Sequence, residues 1–254
     1  IDLMNNFQKL KVGIIVDDGN QTYFTNDLYE KSLDSKYYSI DALIIQKTNN
    51  LDKKHNDRLL DHFFFKIITK IETYLVKKKN SFKEIFLKHP ISKFDVHKVH
   101  VIPDISRSGI FYRYKETDLE KIKDLNLDLL VRAGSGILKG KVLNICRLGI
   151  ISFHHGDNNI NRGGPAGFWE VFNEEPSTGF IIQRLTEELD GGDVIFKGKI
   201  GTSFLYMLNY CNLCVKSNIF LHHTIEKLSY KNGKINLFSK TPYSYPLYKF
   251  PNYY

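Results

Sequence analysis

Cysteine is scarce in this 254-residue sequence: Cys146, Cys211 and Cys214 are its only thiols, too few for a disulfide framework. A reducing compartment fits that shortage, and with no signal-peptide pattern at the N-terminus the reading is a cytoplasmic one. No apolar run approaches the roughly 18 to 20 residues needed to cross a bilayer, which speaks against a membrane span. Two phosphate-cradling signatures are also missing. Neither G-x-G-x-x-G nor a P-loop occurs, so a dinucleotide fingerprint and a Walker-type site are excluded. Metal ligands fall short as well. His154-His155-Gly156-Asp157 has the right residue types, and Cys211-x-x-Cys214 precedes His222-His223, but neither set has further partners at metal spacing, and no metal is expected.

Acidic residues are thin towards the C-terminus. From Lys197 onward eight lysines face one glutamate, which is +7 of the total +8, and the same stretch holds eight of the 15 tyrosines. Basic residues interleaved with aromatics can bind nucleic acid, face an anionic small substrate, or form a solvated surface, the last being the commonest case.

What is present is ordinary for a globular protein, 42% hydrophobic and 25% charged, in a chain long enough for one large domain or two small ones. Lys11 to Val16 reads as a strand, Thr22 to Leu33 as a helix and Ser39 to Gln46 as a second strand. That order suggests a βαβ unit and a parallel sheet. Arg58 to Val76 carries apolar residues at helical spacing, with Phe63-Phe64-Phe65 read as core. Val99 to Ile102 is a strand, Asp104 to Tyr114 a loop read as a packing excursion, and Thr117 to Leu125 a helix. Asp128 to Arg132 is a strand feeding the turn Gly134-Ser135-Gly136, where glycine permits close approach of backbone to a flat ring. Thr202 to Lys227 is helical in period, with Phe204, Leu208, Cys211, Val215 and Ile219 along one stripe, and Asn232-Gly233 signals a hairpin.

The stretch from Gly149 to Lys199 holds the chemistry. Ile150 to Phe153 is a short apolar run that stops on His154, His155, Gly156 and Asp157, so ionisable groups leave the edge of a sheet where open α/β folds bind ligands. A Gly-rich loop follows, and Pro165 suits the first position of the next helix. Thr178 to Leu185 and Val194 to Ile200 read as strands joined by an acidic, Gly-containing turn.

Four pieces stand out in order: His154 at the strand end, Arg162-Gly163-Gly164, Thr178-Gly179, and Leu189-Asp190-Gly191-Gly192, with 36 positions between His154 and Asp190. Together they resemble the catalytic segment of the folate-dependent formyltransferases, which act in purine synthesis, on methionyl-tRNA and on amino sugars. The likeness extends over about residues 10 to 200 and includes Gly136-Ile137-Leu138 upstream. It implies an α/β, Rossmann-like fold, a mostly parallel twisted sheet flanked by helices; residues 201 to 254, beyond the likeness, read from their own composition and pattern as a basic, Tyr-rich appendage of helix, hairpin and extended tail. It implies 10-formyltetrahydrofolate as formyl donor and no metal. By resemblance His154 and Asp190 are catalytic, Gly136, Ile137, Leu138, Glu188 and Leu189 hold the folate, and His155, Asp157 and Arg162 meet the acceptor.

The sequence departs from the family at one important place, because the family's catalytic Asn falls on Ser152. Ser152 can itself donate, His155, Asn158 or Asn159 can replace the amide, or folate-derived transfer is lost. The acceptor favoured is a small anionic amine, a nucleotide-linked amino sugar. Methionyl-tRNA ranks lower, since only 54 residues follow Ile200, and nucleic acid is not an expected partner. A homodimer is compatible with the sequence. The rival readings are a non-catalytic binding module that keeps the pocket, and a hydrolase of the formyl donor.

Overall fold

The structure, a computed structural model, describes residues 8–48, 62–156, 162–188, 191–230, 237–238 and 247–251. In chain order its elements are β1 (Leu10–Asp17), α1 (Tyr23–Leu33), β2 (Tyr38–Gln46), α2 (Phe63–Lys77), α3 (Asn80–Lys83), β3 (His97–Val101), β4 (Asp104–Ile105), β5 (Phe111–Arg113) and α4 (Glu116–Lys123). There follow β6 (Leu129–Arg132), β7 (Ile137–Leu138), β8 (Ile150–His154), β9 (Arg162–Gly163), α5 (Phe168–Phe172), β10 (Ser177–Arg184), β11 (Asp193–Gly201), α6 (Tyr206–Tyr230) and β12 (Leu247–Tyr248). Seven strands form one sheet in the order β11-β10-β8-β6-β1-β2-β3. The pairs from β8 to β3 are parallel, while β10 runs antiparallel to both β8 and β11. This is the Rossmann-like α/β architecture expected from the sequence.

The sheet is covered on both faces, which is why its central strands are continuous apolar runs. Along β1, Val12, Ile14 and Val16 belong to one core with Leu28 of α1 and Leu221, Ile225 and Leu228 of α6. Ile15 points the other way, into a second core with Leu119 and Ile122 of α4 and Tyr112 and Tyr114. The alternation follows from the two-residue period of a strand. It also fixes the site. Leu130 and Ile150 face the second core, so Arg132, Ser152 and His154, two and four positions on, leave the sheet on that same face.

Several expectations are corrected. The Phe63-Phe64-Phe65 cluster is not core: Phe63 and Phe64 are 46% and 50% exposed, and Val76 is the buried residue of α2. The helix lies outside the sheet layers and touches α6 along one edge, through Val76, Met207 and Cys211, so its apolar period outruns the surface available to cover it. Residues 58–61 of that expected helix lie outside the described residues. Pro165 does not open α5. The chain passes through Gly167 in left-handed backbone, φ 72°, and the helix starts after it, the turn being held by Asn209 Nδ2 donating to the Gly167 carbonyl at 2.9 Å. The α6 stripe is also set differently, because the helix begins at Tyr206. The Ser203 amide donates to Asn209 Oδ1, and Phe204 is left 82% exposed. Asp104 to Tyr114 is partly strand, β4 pairing with β5, and its Tyr112 and Tyr114 are buried, as a packing excursion requires. The Asn232-Gly233 hairpin lies outside the described residues.

Candidate active site

Chain order reverses direction at β1: β2 and β3 lie on one side, β6 and β8 on the other. The crevice beyond the carboxyl ends of the strands at such a switch point is the usual ligand site of open α/β sheets. Here β1 ends on Asp17, β6 on Arg132 and β8 on His154. The register runs across the strands as a row. Ile15 pairs with Arg132, Val131 pairs with Ile151 so that Arg132 and Ser152 are the next neighbours, and Ser152 pairs with Gln183.

Asp17 organises the turn that follows β6. Its carboxylate accepts the Ser135 amide at 3.0 and 2.9 Å, the Ser135 hydroxyl at 3.0 Å and Gln46 Nε2 at 3.1 Å. Tyr114 in turn donates to Gln46 Oε1 at 3.0 Å. The turn is tight enough to need glycine at Gly136, where φ is +75° and a Cβ would run into the Tyr112 ring. Arg132 donates through Nη2 to the Gly136 carbonyl. Burial pulls its pKa below the ordinary guanidinium value, with Asp17 acting in the opposite direction.

Two cavities meet at Arg132, Ser152 and Phe153, which line both. The smaller, about 200 Å3, is walled by Ile137, Leu138, His154, Gln183 and Glu188. The larger, about 490 Å3, lies towards Tyr23, Phe86, Lys88, His155, Tyr210 and Cys214. Burial pushes the Cys214 thiol up to about 12, so it is held neutral and is not a thiolate nucleophile. In the walls of the smaller cavity Arg132 Nε and Gln183 Oε1 are buried with no hydrogen-bond partner among the described residues. Each such group costs about 1–3 kcal/mol unless something meets it.

The residues read from the sequence divide between the two cavities. Ile137, Leu138, His154 and Glu188 line the smaller one, His155 the larger, and Ser152 both. Gly136 shapes the turn but is not a wall. The Ser152 hydroxyl donates to the Phe153 carbonyl at 3.1 Å, in a residue that is 4% exposed. Arg162 opens β9, which pairs with β12. Asp157, Leu189 and Asp190 lie outside the described residues, as do Asn158 and Asn159. Sequence reading missed Arg132, Gln183 and Asp17 as site residues. Strand phase could have found the first, since Arg132 shares the face of Leu130 at a strand end.

His155 is stacked on Phe153 with ring centroids 4.5 Å apart, and its Nε2 is 2.9 Å from Ser217 Oγ. It keeps some exposure because it lines the cavity, yet protein encloses it, and burial followed by the neighbouring His154 draws its pKa from 6.5 down to about 3. The folded protein therefore holds His155 neutral while the unfolded chain takes up a proton near pH 6.5. The stabilisation is complete above that pH and is lost as pH falls from about 6.5 towards 3, at up to about 1.4 kcal/mol per pH unit. Urea denaturation across this range should show that slope, and His155→Phe should flatten it. An equal slope in both proteins would place the proton uptake elsewhere.

Comparison with known proteins agrees with this geometry. No protein-family model matches the chain. Over 83 residues it is 36% identical to the methionyl-tRNA formyltransferase of Clostridioides difficile (strain 630), a stretch that is 32% of this chain and 27% of that protein. The chain thus matches only about a quarter of that relative's length. In fold it is similar to phosphoribosylglycinamide formyltransferase from Anaplasma phagocytophilum, TM-score 0.58, at 11% identity over 92% of this chain and 96% of the other. It is also similar to formyltetrahydrofolate deformylase from Burkholderia mallei, TM-score 0.54, at 13% identity over 87% and 66% of the two chains. The motif order and the strand-end site already described agree with a likeness to the formyltransferases, in sequence over 83 residues and in fold over most of the chain.

Proposed function

We propose that the chain transfers a formyl group from 10-formyltetrahydrofolate to an amine, the smaller cavity taking the fused ring of the donor and the larger one the acceptor. The observation that carries this reading is the meeting of two cavities at the end of β8, because a transfer needs two substrates whose reacting atoms come together at one point. The smaller cavity fits the donor chemically. Ile137 and Leu138 offer apolar contact to a flat ring, and Gln183 Oε1 offers its polar edge an acceptor that is unpartnered among the described residues. His154 donates to the formyl oxygen as negative charge develops there, and Asp190 orients it and takes the proton of the attacking amine. Leu189 and Glu188 complete the folate side, and His155, Asp157 and Arg162 the acceptor side.

A nucleotide-linked amino sugar suits the larger cavity. Tyr23, Phe24, Phe86 and Tyr210 provide aromatic surface for a base, and Lys88 positive charge for phosphate. The test is tetrahydrofolate release from 10-formyltetrahydrofolate, followed with and without a panel of nucleotide amino sugars, beside a thermal-shift measurement. Ligand at about 100 times its Kd should stabilise the fold by about 2.7 kcal/mol. Release that needs an amine supports transfer. Release at full rate in water alone supports hydrolysis of the donor, and no release and no shift removes the reading.

A further inference from the structure

Formyl transfer places negative charge on the formyl oxygen, and the site must present a hydrogen-bond donor to it where the two cavities join. Ser152 stands at that junction, but its hydroxyl proton is already spent on the Phe153 carbonyl. The next residue along the row, on β6, is Arg132. Its Nη2 is tied to the Gly136 carbonyl, which fixes the plane of the guanidinium, while its Nε–H is buried and has no partner among the described residues. Arg132 lines both cavities. A buried, unspent donor is uncommon, and its cost persists where a ligand or a reaction supplies the missing acceptor. Its charge is largely buried in protein, so it acts on a developing oxyanion with less screening than in bulk solvent.

We infer that Arg132 is a catalytic residue: its Nε–H donates to the formyl oxygen at the junction of the two cavities, the position from which the Ser152 hydroxyl is turned away. The inference rests on the formyl-transfer reading above. In the step, the bond between the formyl carbon and folate N10 breaks, a bond from that carbon to the amine nitrogen forms, and the amine proton ends on N10. Arg132 neither gains nor loses a proton. It stabilises the oxygen charge beside His154.

The experiment uses the full chain with 10-formyltetrahydrofolate as donor and hydroxylamine as a small acceptor that needs no recognition, reading tetrahydrofolate release in a single turnover. Binding of the inert analogue 5-formyltetrahydrofolate is measured in parallel as a control on fold and donor site. Arg132→Gln should slow transfer by about 100-fold or more, with the Kd for 5-formyltetrahydrofolate changed by less than about threefold. Arg132→Lys, which keeps the charge but not the fixed Nε–H, should fall between. Adding Ser152→Asn to Arg132→Gln should recover about tenfold or more, because the new amide is a donor at the same junction, whereas a merely structural defect at Arg132 would not be repaired by a change on the next strand.

Transfer by Arg132→Gln within about threefold of wild type overturns the assignment. So does loss of 5-formyltetrahydrofolate binding in Arg132→Gln and Arg132→Lys with no recovery on adding Ser152→Asn, since Arg132 is then a structural or binding residue. If the wild type neither binds 5-formyltetrahydrofolate nor releases tetrahydrofolate, the formyl-transfer reading itself fails, and the role of Arg132 falls with it.

Discussion

His154→Ala is expected to slow formyl transfer by about 100- to 10,000-fold while leaving the fold intact and donor binding nearly unchanged. His154 is the last residue of β8, paired with Ile181 of β10, and its side chain lines the smaller cavity at the sheet edge, outside both cores. Removing it takes away a donor that matters most when the formyl oxygen is negative, so the loss should fall on kcat and not on the binding of 5-formyltetrahydrofolate. His154→Gln, which keeps an amide N–H, should retain more activity than the alanine variant. Asp190→Ala should show the same pattern if Asp190 takes the amine proton. Normal turnover in His154→Ala would sink the assignment of this strand end as the reacting centre. A fall in melting temperature matching the fall in rate would instead make His154 a structural residue.

Much of this arrangement is legible in the sequence, for a physical reason. Central parallel strands are buried on both faces, so KVGIIV, SIDALIIQ and IISF announce themselves as short apolar runs, and a run that stops on His154 marks its own active edge. Elements whose burial depends on a partner elsewhere in the chain are less legible. The apolar period of α2 predicts a helix correctly but not which face is covered, because the cover is α6, about 140 residues away. The phase of α6 is hidden for a related reason: its start is set by long-range contacts, Asn209 holding Ser203, Thr178 and the Gly167 turn.

The site shows the same division. His154, Ile137 and Leu138 carry local signals, whereas Arg132 and Gln183 matter only because β8 lies between β6 and β10, putting Ser152 between them on one row. Nothing in the residues around Arg132 or Gln183 says that their strands flank β8.

Asp17 is the hardest of these to see, because Asp17-Asp18-Gly19-Asn20 has the composition of an ordinary turn cluster, and its replacement should have the largest effect on stability. Asp17→Ala deletes the acceptor for the Ser135 amide and hydroxyl and for Gln46 Nε2. It also removes the anion whose field favours the charge of the buried Arg132. Loss of a carboxylate with several charge-assisted bonds should cost about 2–4 kcal/mol, read as a lower urea midpoint with an unchanged m-value. The damage should reach function by a path His154 does not share. The turn that Asp17 holds delivers Ile137 and Leu138 to the smaller cavity, so Asp17→Ala should weaken 5-formyltetrahydrofolate binding as well as stability. Asp17→Asn keeps an oxygen for Ser135 but loses the charge and puts an N–H where a second acceptor stood, and it should fall between wild type and alanine on both measures. An alanine variant within about 0.5 kcal/mol of wild type, with donor binding intact, would show that the turn holds itself and that Asp17 is only its neighbour.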